Sequence, residues 1–453
     1  MSEFHWVCQP EAEAFILEAF EKAASKNEFI AKFNERLCKE TSTRLFDWLD
    51  HVILGQSSAQ EERLKTLGFV EDTRVQEAFD DRVYYHPGAH LPRVLLRDVK
   101  EEVAALAFSV DDLDRFLMIQ GLPAKVEGAL LGKFRRCLIS EENGVALLAV
   151  ERRGSLTFKP TPYVPGQAEV VLLELEKWKV RSRFLEDEEA SFENCEKLAK
   201  ETVHKLGSGF AAWIVLECER QYWQFRNRAG QVQKMRQDRL GLGWANHDHH
   251  TFRSSRKYFS RLVNLFESLG FTCRERFYAG EEAGWGAQVM ENEEAKLVLF
   301  LDVDLVKGEL DIDFAHQDLP PLEKLGTIGL WCGLHGDSIL HAGMHHLEAQ
   351  FLFDLLKEDL SHEGVGMMAP FSSFAYLKQA FTQGEMWKVN PNRAKKLHSQ
   401  GQITIEQMEH FIEAGALGSH LENLQRREGY KGFNQKNVSV IIKKTDPRAF
   451  VSD

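Results

Sequence analysis

The chain has 453 residues, 43% of them hydrophobic and 28% charged, with a net charge of −13. That is globular composition with ample core, and a negative field without a long basic run disfavours nucleic acid and anionic membrane surfaces as partners. No apolar stretch approaches the ~20 residues that span a bilayer. The opening MSEFHWVCQP lacks a signal-peptide pattern, and the seven cysteines are scattered without a CxxC, so the expectation is a reducing, cytoplasmic setting.

The predicted class is α+β. Residues 1–44 form a helical N-terminal segment: Phe15, Ile16, Phe20, Ala23 and Ala24 recur at helical spacing, and Ile30, Phe33 and Leu37 resume it after a break at Lys26-Asn27. A first module is expected over 45–165. It opens with the apolar run Leu45–Leu54, a helix Ala59–Leu67 stopped at Gly68, and strands at Arg82–Tyr85 and Arg93–Leu96. Ala104–Val110 reads as a strand, Asp111 and Asp112 as caps of a helix ended by Gly121, and Asn143-Gly144 as a hairpin turn.

Residues 166–243 are mixed and charge-rich, without a motif. A second module is expected over 244–360: a strand His247–Arg253, a helix with Tyr258, Phe259, Leu262, Val263, Phe266 and Leu269 on one face, and strands at Thr272–Tyr278, Gly286–Met290 and Lys296–Val303. Residues 361–453 read as a mainly helical C-terminal segment.

Three stretches could carry chemistry. In His247-Asp248-His249-His250, strand alternation puts His247, His249, Thr251 and Arg253 on one face. His249 can then ligate a metal through one nitrogen while a neighbour orients the other; a solvated strand end is the alternative. In Met344–Glu348, His346 and Glu348 share a face, and a carboxylate there suits a hard or borderline divalent cation, or else a surface ion pair. His51 sits among apolar neighbours, as a ligand or as a satisfied core histidine.

The strand His249-His250-Thr251-Phe252-Arg253, the His51 strand with its 59–67 helix and Gly68-Phe69, and Glu348 followed by Phe351–Leu356 form one succession. Pro370–Phe374 and Ile403–Glu406 extend it. It resembles the vicinal-oxygen-chelate superfamily, and within it the 2-oxoadipate dioxygenase/decarboxylase (hydroxyglutarate synthase) family. The resemblance implies paired βαβββ modules forming a half-barrel, with helical N- and C-terminal additions.

It also implies a single metal bound by His51, His249 and Glu348, with Arg253 holding a substrate carboxylate. The metal implied is Fe(II), with Zn, Ni or Mn as alternatives. The reaction implied is oxidative decarboxylation and hydroxylation of a 2-oxo acid with O2, and the alternatives are a metal-dependent isomerase or hydrolase of the same fold, or a non-catalytic small-molecule-binding protein. Two departures bear on this. Gly55 stands where the family places an arginine, which points to a 2-oxo acid whose far end is not a simple carboxylate unless Arg93 or Arg97 substitutes. The His249–Glu348 spacing is longer than the family's, which leaves Glu151 as a competing carboxylate.

Overall fold

A computed structural model of the chain describes residues 6–75, 81–183, 187–434 and 446–450. Residues 1–5 of the N-terminal segment, and 435–445 and 451–453 of the C-terminal one, lie outside that description.

Asn27 divides the N-terminal helix into α1 (Pro10–Lys26) and α2 (Glu28–Thr41). Its side chain accepts from the Phe29 backbone N–H and so caps α2, while its Nδ2 donates to the Val145 carbonyl at 2.9 Å. The cap thereby fastens the break to the first sheet.

That sheet begins with β1 (Leu49–Gly55), α3 (Ser58–Thr66), β2 (Val70–Glu71), β3 (Arg82–Tyr85) and β4 (Arg93–Arg97), followed by β5 (Val103–Ser109), α4 (Leu113–Gln120), β6 (Phe134–Glu142) and β7 (Val145–Arg152). Its order is β2-β3-β4-β1-β5-β7-β6. β1 pairs parallel with β4, β5 pairs parallel with β7, and β1 and β5 meet antiparallel. Two strand–helix–strand modules are therefore joined at their first strands. Asn143 and Gly144 turn the β6–β7 hairpin at φ 49° and 76°, the left-handed pair that a tight two-residue turn needs. Phe33, Phe108 and Phe116 pack under α1, α2 and α4 in the core of this half.

Residues 166–243, motif-free in sequence, are four helices: α5 (Gln167–Lys179), α6 (Glu188–Leu206), α7 (Ser208–Phe225) and α8 (Arg228–Asp238). They share one core with the second sheet through Trp178, Phe192, Val215 and Trp223. Each such side chain contributes about 1.5–3 kcal/mol by leaving water.

The second half comprises β8 (His247–Arg253), α9 (Phe259–Ser268), β9 (Thr272–Tyr278), β10 (Trp285–Asn292) and β11 (Leu297–Asp304). After α10 (Thr327–His335) come β12 (His346–Gln350), α11 (Phe353–His362), β13 (Ser372–Ser373), β14 (Leu377–Phe381), β15 (Glu385–Trp387), α12 (Pro391–Ser399), α13 (Ile405–Ala414) and β16 (Ala416–Arg426). The sheet order is β13-β14-β16-β12-β8-β11-β10-β9, with β15 added on β16. β8 is parallel to β11, β12 is parallel to β16, and β8 and β12 meet antiparallel.

This is the paired-module arrangement of the vicinal-oxygen-chelate fold, with helices added at both ends. It occurs twice. The module starting at β1 pairs with the one starting at β5, and the module starting at β8 pairs with the one starting at β12, so the two modules expected to face each other lie in different sheets. The C-terminal segment brings helices α12 and α13 and, in addition, the strands that complete the second half-barrel.

Candidate metal centre

The second sheet gathers histidines and carboxylates on one face of three adjacent strands. Register sets His346 opposite Thr251 on β8 and beside His420 on β16, and it sets Glu348 beside Glu422. The β8–β12 register shifts between Leu347 and Ala349, so Glu348 sits at an irregularity of the ladder, where a strand can re-aim a side chain.

Among the described residues three groups of ligand atoms lie close enough to share one ion; Glu267, Cys273 and His316 are exposed, and the other two are buried here. Of the buried two, the first is His249, His346 and Glu422; the second is Asp248, His249 and Glu348. In the first, Glu422 Oε2 is 3.0 Å from His346 Nε2 and 3.8 Å from His249 Nε2. Donors bound at about 2.1 Å on adjacent positions around one metal stand roughly 3 Å apart, so these separations fit. In the second group Asp248 is already committed, because Arg426 donates to it from Nη2 at 3.1 Å and from Nε at 3.3 Å. The first group has no such arginine, and its His346 Nε2 meets the neutral Thr251 hydroxyl at 2.8 Å.

Glu348 takes a different place. Its Oε1 is 2.6 Å from His249 Nδ1, the ring nitrogen pointing away from Glu422. The distance is that of a hydrogen bond, but the angle is not, and both atoms are buried without a hydrogen-bond partner. A carboxylate on the far nitrogen of a metal-binding imidazole fixes the tautomer that presents the near one. Gln379 Nε2 bridges the two glutamates, donating to Glu348 Oε2 at 3.2 Å and Glu422 Oε1 at 3.1 Å.

The cluster is short of positive charge. Burial, reinforced by Glu422, drives the Glu348 carboxyl well above its usual range, and burial also raises Glu422. Burial alone would lower His249, but Glu348, with Asp248 and Glu422 behind it, raises this imidazole to about 10. A buried group of two glutamates that turns a histidine into its counter-ion is a cradle for a cation. Phe300 and Phe433 stand 4.5 and 5.0 Å from the His249 ring, and Phe381 stands 5.2 Å from His346, which keeps water out.

Arg253 lies farther along the same face of β8. It is 4% exposed, its Nε and Nη1 have no hydrogen-bond partner, and Asp302 Oδ2 comes no closer than 3.8 Å. Burial, only partly offset by Arg253, brings Asp302 up to about 7.

No family model matches the chain, and neither does any curated protein. Among solved structures it is similar to a glyoxalase-superfamily protein from Ralstonia eutropha JMP134, at 11% identity over 59% of this chain and 97% of the other, with a TM-score of 0.33. A protein assigned as a hydrolase from Shewanella frigidimarina NCIMB 400 is 18% identical over 48% of this chain and 94% of its own, at 0.31. A mutant of 4-hydroxymandelate synthase from Streptomyces coelicolor is 13% identical over 89% and 98%, at 0.24. Scores this low carry no argument. The fold rests on strand order.

Of the four residues picked from sequence, His249, Glu348 and Arg253 share the second half-barrel. His51 does not join them. It stands in β1 of the first sheet, where Nδ1 is 2.7 Å from Asp50 Oδ2 and the ring packs edge-on to Phe158 at 4.8 Å. Among the described residues His51 belongs to no group able to share an ion. His346 stands in the group with His249 instead, on the face where the i, i+2 alternation with Glu348 puts it. Glu151 is likewise elsewhere: it accepts from the Leu113 backbone N–H at 2.8 Å and from Arg135 at 3.1 Å.

Gly55 owes its identity to packing. A Cβ there would come within 2.4 Å of the Glu101 carbonyl, so no arginine fits. Glu422 and Gln379 carry no sequence signal beyond their residue types.

Proposed function

We propose that this chain is a single-metal enzyme of the vicinal-oxygen-chelate type, with a divalent cation held by His249, His346 and Glu422 and a substrate carboxylate held by Arg253. The observation that carries this is the convergence of two imidazoles and a carboxylate on one buried strand face. Such a metal, when bound, supplies Lewis acidity and, if it is iron, one-electron chemistry with O2.

The chain's own groups do the rest. Glu348, with Oε1 2.6 Å from Nδ1, orients the His249 ring and leaves Nε2 as the donor. Arg253 offers two unpartnered donors, Nε and Nη1, and each can give a charge-assisted hydrogen bond to a substrate oxygen. Asp302 beside it, with its carboxyl near 7, can give or take a proton at neutral pH. The phenylalanine wall excludes water.

Two chemistries fit this frame. A two-histidine, one-carboxylate set favours Fe(II) and oxidative decarboxylation of a 2-oxo acid. The neutral-range carboxyl of Asp302 favours proton transfer, and with it an isomerase or hydrolase using Zn, Ni or Mn. Protein reconstituted separately with each metal is assayed against a 2-oxo acid panel for CO2 release, in air and under strict anaerobiosis. Release confined to iron and O2 supports the oxygenase; turnover that persists without O2 supports the isomerase or hydrolase; failure to bind any metal overturns both.

A further inference from the structure

A second gathering of charge lies away from the metal centre, in a cavity of about 370 Å3 between the two half-barrels. Its size is that of a small-molecule pocket. Walls come from the start of β1, the β3–β4 connection and the end of β7 on one side, and from the start of β8 and the β10–β11 hairpin on the other.

Asp50, 1% exposed, is the hub. It accepts from Arg152 Nε at 3.0 Å and Nη2 at 2.9 Å, and from Lys296 Nζ at 2.6 Å, with His51 beside it. Arg93 also lines the cavity, on β4 in register with His51. Three cations thus gather around one carboxylate. Arg93 donates to Asp72, at 3.3 Å, which Arg74 already holds by two nitrogens at 2.7 and 2.9 Å. Of the other lining carboxylates, Asp248 pairs with Arg426 and Glu217 with Arg220, while Asp111 accepts from the Trp244 backbone N–H.

Two of the three cations keep donors to spare. Arg152 does not, since its Nη1 donates to the Ser155 and Thr157 carbonyls. Arg93 is 8% exposed and its Nε has no hydrogen-bond partner. Lys296 gives one N–H to Asp50 and has two left. It is held at φ 54°, a conformation a lysine adopts at a cost, in the turn that aims it across the half-barrel boundary. Burial, opposed by Asp50 and reinforced by Arg152 and Arg93, brings its amine down to about 8. The side chain is 36% exposed, and contact with cavity water softens that shift without changing its sign.

We propose that this cavity is a binding site, separate from the metal centre, for the carboxylate or phosphate group of a small organic anion, held by Arg93 and Lys296 in the field of Arg152. Tyr85, Leu91 and Trp213 supply apolar wall for the rest of the molecule.

The test is isothermal titration calorimetry of the full chain with succinate and, separately, inorganic phosphate. Parent protein, Arg93→Gln, Lys296→Gln and Arg253→Gln are compared, with metal content and near-UV circular dichroism measured on each. The expected result is a saturable site that is present in the parent, retained in Arg253→Gln, and weakened about tenfold or more in Arg93→Gln and Lys296→Gln at unchanged metal content. The stronger of the two probes identifies the anion class. Lys296→Gln, on a hairpin turn, decides the matter if Arg93→Gln does not fold. No saturable site in the parent, equal affinity in Lys296→Gln, or loss confined to Arg253→Gln would overturn the proposal.

Discussion

His249 Nδ1 and Glu348 Oε1 stand 2.6 Å apart inside the second half-barrel, both shielded from solvent, while the opposite nitrogen of the same ring faces Glu422. One imidazole thus has a carboxylate at each end. In the proposed site Glu422 ligates the metal with this ring and Glu348 orients it.

The proposed role of Arg253 in substrate recognition rests on its unpartnered donors. Arg253→Ala is expected to raise KM for a carboxylate substrate by about a hundredfold or more while metal content stays at the parent level. Arg253→Lys should rescue little, because an ammonium does not reproduce the directed N–H groups of a planar guanidinium. Steady-state kinetics with parallel metal analysis checks both; an unchanged KM in the alanine variant would move carboxylate recognition elsewhere.

Asp302 makes stability depend on pH. Its folded pKa, about 7, lies above the ordinary 3.8, so between those values the native state binds the extra proton. Stability from this group is fully present below about pH 4 and is lost as pH rises through 7, by an amount on the order of a few kcal/mol. Urea unfolding of the parent between pH 5 and 8 should show that decline, and Asp302→Asn should flatten it. Identical slopes in the two proteins would refute the assignment.

Glu219 holds the helical insert together. It is fully buried on α7 and accepts from Trp178 Nε1 at 2.9 Å and from Arg181 and Arg183 at 2.7 Å each. Removing it strands two buried guanidiniums. Glu219→Ala is expected to cost about 3–5 kcal/mol in denaturant unfolding. A loss below about 1 kcal/mol would mean that water or another carboxylate replaces it.

Much of this fold was legible where local chemistry fixes it. Asn27 and Asp112 mark helix starts because their side chains satisfy the first backbone N–H groups, and Asn143-Gly144 marks a turn because it tolerates positive φ. The His249–Arg253 strand was legible from alternation. What escaped depends on distant pairing. β16 runs ALGSHLENLQR and is buried on both faces, so it lacks the alternation that reveals a half-exposed strand, and Glu422 stood hidden in it. Nor does sequence say which module pairs with which, and so it could not tell that His51 and His249 lie in different sheets. The insert escaped for another reason: α8 mixes polar and apolar residues all round, with Gln233 and Gln237 buried.

The most direct measurement is metal content by mass spectrometry after anaerobic purification, for the parent and for His346→Ala, Glu422→Ala, Glu348→Ala and His51→Ala, each checked for folding. The parent should hold about one equivalent of divalent metal. His346→Ala and Glu422→Ala should lose it, Glu348→Ala should keep a weakened site, with affinity down about 10–100-fold as for a lost orienting carboxylate, and His51→Ala should match the parent. Full metal in His346→Ala together with an empty His51→Ala protein would contradict the account.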